Sequence, residues 1–269
     1  MSGTPFRSGS IGAEPIEAAP GWLVARPIAH RGLHDRAGGV IENSLSAARA
    51  AIARGYAIEC DVQLTADGEA MVFHDRDLAR LVGGAGSVHD MNAAALAAMP
   101  LLGAASGEAP PTLADFLATV AGRVPLVVEI KSRFDGDMRL THRTLEVLSR
   151  YDGPFVVESF DPYIVAEVRR VAPGVPRGIV AETRWTHPDW DFLAPERKHA
   201  LGNLLHFDAT RPHFLSWQVA DLVEGPPFLL RRLGIPVTAW TVRDEAGRAL
   251  AGAHADQMVF EGFLPDAGC

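Results

Sequence analysis

"GYAIECDVQLTADGEAMVFHD", residues 55–75, starts as a buried strand and then departs from one, because Glu59 and Asp61 stand one residue apart in an otherwise apolar run. Side chains along a strand alternate faces, so Glu59 and Asp61 share one face while Cys60 and Val62 share the other. An apolar face opposite an acidic one suits a barrel strand, packed against helices outside and lining a site inside. Two unpaired buried carboxylates are costly, since desolvation and mutual repulsion both oppose ionisation. A cation between them removes the conflict.

Strand-like runs recur on both sides of this stretch: "RPIAH" (26–30), "YAIECDV" (56–62), "PLVVEIK" (125–131), "PFVVES" (154–159), "PRGIVA" (176–181), "HFLSW" (213–217), "IPVTAWTV" (235–242) and "DQMVF" (256–260). Helix-period segments lie between them. In "SLSAARAAIARG", Leu45, Ala48 and Ile52 give an apolar face and Gly55 a stop; "LTHRTLEVLSRY", "PYIVAEVRRV" and "GPPFLLRRLG" read the same way. Eight such alternations predict an α/β fold, the (β/α)8 TIM barrel. An open doubly wound sheet is the runner-up, but no Gly-x-Gly-x-x-Gly turn follows the first strand. "GEAMVFHD" reads as an extra strand, and the segment after it, approximately 75–111, as a small inserted subdomain at the rim that carries the active site in such barrels.

With 269 residues, 48% hydrophobic and 22% charged, the chain is expected to form one barrel domain over 25–269, preceded by a flexible extension over 1–24. A net charge of -8 argues against nucleic acid as a partner. Two cysteines, Cys60 and Cys269, point to neither a disulfide framework nor a cysteine zinc site. No signal-peptide pattern and no transmembrane segment is legible, so a cytoplasmic protein is the expectation. The oligomeric state leaves no mark in the sequence.

In "PLVVEIK", Glu129 and Lys131 share a face, which brings a third carboxylate beside Glu59 and Asp61. Three carboxylates suit a hard divalent metal ion, Mg²⁺ or Ca²⁺, better than zinc; the competing reading is barrel-lining salt bridges. His30 and His74 each sit at a strand terminus flanking these acids and can supply a base and an acid. Arg31 and Lys131 offer positive charge to an anionic substrate. Trp217 and Trp240 are expected at strand ends near the mouth, where they either line a pocket or pack into the core. Ser159 lacks a nucleophile elbow, which argues against serine hydrolase chemistry.

The segments "AHRG", "ENSLSAARAAIARG", "IECDVQLTADGEAMVFHD", "PTLADFLA", "VVEIK", "ESFD" and "AWTV", taken in order, resemble the glycerophosphodiester phosphodiesterase family from about residue 25 to about 263. The resemblance implies a barrel with an insertion after its second strand and hydrolysis of a glycerophosphodiester to glycerol 3-phosphate and an alcohol. It further implies His30 and His74 as the acid–base pair and Glu59, Asp61 and Glu129 as metal ligands. Arg31 and Lys131 would hold the phosphate, with Glu42 and Trp240 also at the substrate site. Three positions depart from the family pattern: Arg243 follows "AWTV" where Asn is expected, Glu261 replaces a more usual Asp, and Ser44 replaces Thr. Two alternatives remain. One is a related barrel phospholipase, for which "AALAAMPLLGAA" (94–105) would have to be an exposed apolar loop; the other is a non-catalytic barrel that binds a phosphorylated ligand.

Overall fold

Pro27 has no N–H to give a ladder and Arg31 has a left-handed backbone (φ 57°), so between them the first strand, β1 (Ile28–Ala29), is only two residues long rather than the five expected. The computed structural model describes residues 17–266. The remaining strands are β2 (Ala57–Leu64), β3 (Ala70–Val72), β4 (Leu126–Ile130), β5 (Phe155–Ser159), β6 (Arg177–Ala181), β7 (Phe214–Gln218), β8 (Val237–Val242) and β9 (Gln257–Phe260). β1 pairs in parallel with both β2 and β9, and the parallel order continues β9, β8, β7, β6, β5, β4, β2. Eight parallel strands therefore close into a barrel. β3 lies outside the ring, antiparallel to β2 with Val62 opposite Val72.

The helices are α1 (Leu45–Arg54), α2 (Ala79–Val82), α3 (Ala93–Leu96), α4 (Leu113–Val120), α5 (Arg139–Leu148), α6 (Pro162–Val171), α7 (Pro195–Gly202), α8 (Phe207–Thr210), α9 (Gly225–Arg232) and α10 (Glu245–His254). Several starts are written in the sequence. The side chains of Ser44, Thr112, Asp161 and Asp244 each accept a backbone N–H of the helix they precede, a cap worth about 1 kcal/mol. Gly55 ends α1 in the left-handed conformation.

Alternation along the strands separates two cores. Ile58, Cys60 and Val62 of β2, Leu126, Val128 and Ile130 of β4, and Val237 and Ala239 of β8 pack outward with the helices. Ile28, Ala57, Val127, Val156, Phe214 and Val259 point inward and form the barrel floor with Leu23. Gly178 makes room there, since a Cβ on it would stand 2.3 Å from the Phe214 ring. Most of the expected flexible extension lies outside the described residues. Its end from residue 17 on packs: Gly21–Val24 form a 3-10 turn that presses Leu23 into the floor, and Glu17 pairs with His213 at 2.8 Å.

Between β3 and α4 the chain makes an excursion containing α2 and α3, with a core of its own around Met71, Phe73, Leu78, Leu81, Leu96 and Leu101. Within the segment 94–105, Leu96 and Leu101 are buried in it, while Ala94, Ala95, Ala97, Ala98, Leu102 and Ala105 are exposed. No described helix is long and apolar enough to cross a membrane.

Candidate active site

Above the floor, the inward-facing positions of β2 and β4 become acidic. Register places Asp61 beside Glu129, and one carboxylate oxygen from each of Glu59, Asp61 and Glu129 lies within 4.8 Å of the others. All three residues are buried. Glu59 Oε1 has no hydrogen-bond partner, while its Oε2 accepts the Arg31 backbone N–H at 2.8 Å. The chemistry of this donor set fits a hard divalent cation: three clustered carboxylates with an orphaned buried oxygen, and neither sulfur nor nitrogen among them. Burial and the neighbouring Asp61 and Glu129 charges push the Glu59 carboxyl well above its ordinary range. Asp61 goes the other way: burial opposes its ionisation, but Lys131, His74 and Arg31 hold its pKa below the usual carboxylate range. The Lys131 ammonium stands 2.7 Å from Asp61 Oδ1 and 2.6 Å from Glu129 Oε1. The salt-bridge reading is thus realised on one side of the cluster and leaves Glu59 Oε1 unsatisfied.

The sharp turn after β1 builds the next part. Arg31 and Gly32 both have left-handed backbones, and a Cβ on Gly32 would approach the Ala47 Cβ to 2.8 Å. Asn43, also left-handed, donates its amide to Asp61 Oδ2 at 2.7 Å and accepts the Asp61 backbone N–H at 3.2 Å. The Arg31 guanidinium reaches Glu42 Oε1 at 2.7 Å, with its Nε 3.5 Å from Asp61. Glu42 also accepts two hydrogen bonds from Arg80, 2.7 and 2.8 Å. Burial opposes ionisation of Glu42, yet the two guanidiniums bring its pKa to about 2. Its oxygens are therefore engaged by arginines.

The two strand-end histidines have different surroundings. His30 Nδ1 is 2.6 Å from Glu261 Oε2, and its Nε2 lies 3.9 Å from Glu59 Oε2. Burial lowers its pKa to about 4, outweighing the Glu261 hydrogen bond, so the ring is neutral and gives its Nδ1–H to Glu261. Arg243 Nε holds the other Glu261 oxygen at 2.5 Å. Two of the three residues that depart from the family pattern, Arg243 and Glu261, thus bond to each other. His74 Nδ1 is 2.8 Å from Asp75 Oδ1, and Gln63 donates to the His74 carbonyl at 2.9 Å. Arg80 binds Asp75 as well as Glu42, at 2.6 and 2.7 Å, and so ties the His74 strand end to the Arg31 turn.

Residues the sequence reading passed over also stand here. Glu158 is opposite Glu129 in register, 4% exposed, and burial with the Glu129 charge raises its pKa to about 8. Period-two reading of "VVESF" gives its inward direction, with Ser159 turned outward. Arg80 carried no pattern signal, because the insertion lacks one. Trp240 faces inward and donates its indole N–H to the Ser216 carbonyl at 2.9 Å. Trp217 takes the core-packing alternative: one position out of phase with Ser216, it is buried in the outer core.

The family model of the glycerophosphoryl diester phosphodiesterase family matches residues 30–264. The glycerophosphodiester phosphodiesterase of Caldanaerobacter subterraneus subsp. tengcongensis is 27% identical over 241 residues, covering 86% of this chain and 92% of its own. Among solved structures, an Oleispira antarctica phosphodiesterase in complex with the product sn-glycerol-3-phosphate has a TM-score of 0.70 at 23% identity, covering 88% of this chain and 92% of that one. The glycerophosphodiester phosphodiesterase from Thermotoga maritima has a TM-score of 0.64 at 22% identity, covering 88% and 94%. Both share the fold. With a family model matching most of its length, the chain belongs to the glycerophosphoryl diester phosphodiesterase family, a family of phosphoric diester hydrolases.

Proposed function

We propose that this protein hydrolyses glycerophosphodiesters to glycerol 3-phosphate and an alcohol, using Mg²⁺ or Ca²⁺ held by Glu59, Asp61 and Glu129. The observation that carries the reading is the convergence of those carboxylates with His30, Arg31 and Lys131 at one barrel mouth. When bound, a divalent ion would supply positive charge against the phosphoryl oxygens. Arg31 and Lys131 add fixed charge from the protein. Glu42, with both oxygens taken by arginines, orients Arg31 rather than meeting an anion itself.

His30 Nε2 is the base. Its Nδ1–H is committed to Glu261, which leaves the Nε2 lone pair for a proton from the attacking oxygen. His74 Nε2 is the acid, since its Nδ1 is engaged by Asp75. The nearest nucleophile is a hydroxyl of the substrate's own glycerol. Its oxygen bonds to phosphorus, His30 takes its proton, and the alcohol leaves with a proton from His74. Water then opens the cyclic diester with the two histidines exchanging roles. Tethering contributes roughly 7–11 kcal/mol when well aligned, and acid–base help on the order of 10² to 10⁴ in rate.

The test is hydrolysis of soluble glycerophosphodiesters by the wild type, His30→Ala and His74→Ala. Turnover falling by about 10² to 10⁴ in each variant, with the melting temperature retained, is expected. Unchanged turnover sinks the assignment, and activity on lipid vesicles alone favours the phospholipase reading.

A further inference from the structure

Helix α9 carries apolar side chains on its solvent face. A surface helix ordinarily keeps polar residues there and turns its apolar stripe to the core. In α9, Pro227 is buried and Leu230 half-buried against the barrel, yet Phe228, Leu229 and Leu233 are 48, 59 and 70% exposed. Val223, just ahead of the helix, is 59% exposed as well. Exposed apolar residues scattered singly need no explanation, but a contiguous set along one helix face marks a contact surface.

The two ends of this face carry opposite charges that the chain itself leaves little used. The Glu224 side chain makes no capping hydrogen bond, and among the described residues its carboxylate meets only Arg184, at 3.4 Å. Arg232, in the last turn, has no ion pair among the described residues; its guanidinium lies over the Phe228 ring, 5.6 Å from the centroid. Arg231 is engaged by Asp256 at 3.0 Å. The stretch is therefore complementary to itself in reverse. About a two-fold axis at Phe228 and Leu229, two antiparallel copies set Val223 against Leu233 and Glu224 against Arg232. Each such pair then stands within one residue's rise, about 1.5 Å.

We propose that α9 is a homodimer contact, with a second copy of this chain seated antiparallel across Phe228, Leu229 and Leu233, and Glu224 and Arg232 of each copy paired to those of the other. A lipid surface fits less well, because Arg232 would be the one unpaired cation of the helix facing acidic headgroups, on a chain of net charge -8. α9 descends the barrel flank from the mouth end of β7 to the start of β8 at the floor. Reversing it in the second copy points the two mouths in opposite directions and leaves both open. The contact does not depend on the reaction proposed above.

Sedimentation equilibrium of the full-length protein at micromolar concentration is expected to give the mass of two chains, and Leu229→Glu that of one with an unchanged circular dichroism spectrum. Glu224→Arg and Arg232→Glu each act twice in a two-fold contact, so each is expected to weaken the dimer by about tenfold or more, and the double exchange to restore it. A monomeric wild type overturns the proposal, and so does a dimer that survives a folded Leu229→Glu. If Leu229→Glu does not fold, the charge exchange decides: single reversals without effect, or a double exchange that restores nothing, overturn the antiparallel contact. Binding of phosphatidylglycerol vesicles by a monomeric wild type would overturn it too, and assign the face to a lipid surface.

Discussion

Glu261 holds His30 through one carboxylate oxygen, 2.6 Å from Nδ1, while Arg243 holds its other oxygen. Burial would raise the Glu261 pKa, but His30, His34 and Arg243 together keep it below the usual carboxylate range. The carboxylate therefore stays ionised and fixes which imidazole nitrogen carries the proton. Glu261→Gln is expected to lower kcat between about ten- and a hundredfold with little change in KM, because the acid–base step carries on the order of 10² to 10⁴ in rate. Steady-state kinetics check this; an unchanged kcat removes the orienting role.

Removal of divalent ions with a chelator is expected to abolish turnover, and Mg²⁺ or Ca²⁺ to restore it. The same ion should raise the melting temperature, since a ligand at a hundred times its Kd adds about 2.7 kcal/mol. Full activity in chelator would refute the carboxylate site.

Acid should weaken the fold through His206, which is buried before α8 with its Nδ1 3.4 Å from the Thr210 hydroxyl. Burial lowers its pKa to about 4 from an ordinary 6.5. The unfolded chain binds this proton between those values and the folded chain does not. Stability is thus fully present above about pH 6.5, falls as the pH drops through the window and levels off below about 4. The loss is at most about 3 kcal/mol. Urea unfolding at pH 7 and 4.5, compared with His206→Leu, should show the smaller difference in the variant.

Gly32→Ala meets two obstacles at once, a left-handed φ of 78° and the Ala47 Cβ at 2.8 Å. A cost of about 1–3 kcal/mol is expected, read as a lower melting temperature.

The eight barrel strands were legible because period-two alternation and helix-period segments agree along the whole chain, and the acids of β2 and β4 stood out against apolar neighbours. Glu59, Asp61, Glu129, Lys131 and His30 converge because strand parity sends them inward, whereas Arg31, one position out of phase with His30, joins them through the left-handed turn after β1. For Trp217 the choice between pocket and core stays open when position near a strand end is weighed without parity, which turns it outward. Arg80 was illegible for a different reason: its partners Glu42 and Asp75 are 38 and 5 residues away and meet it only once the excursion folds back. Glu158 looks ordinary in "ESFD" until barrel closure sets it against Glu129.

Arg80 has a consequence for engineering. It stands in the excursion yet neutralises Glu42 and Asp75, which belong to the turn after β1 and the end of the β3 hairpin. A loop swap over residues 76–111, which keeps Asp75, is therefore not a graft onto an indifferent scaffold. Any replacement must bring its own cation to this place, or the chassis is left with two acids facing each other where Arg31 and His74 need them restrained.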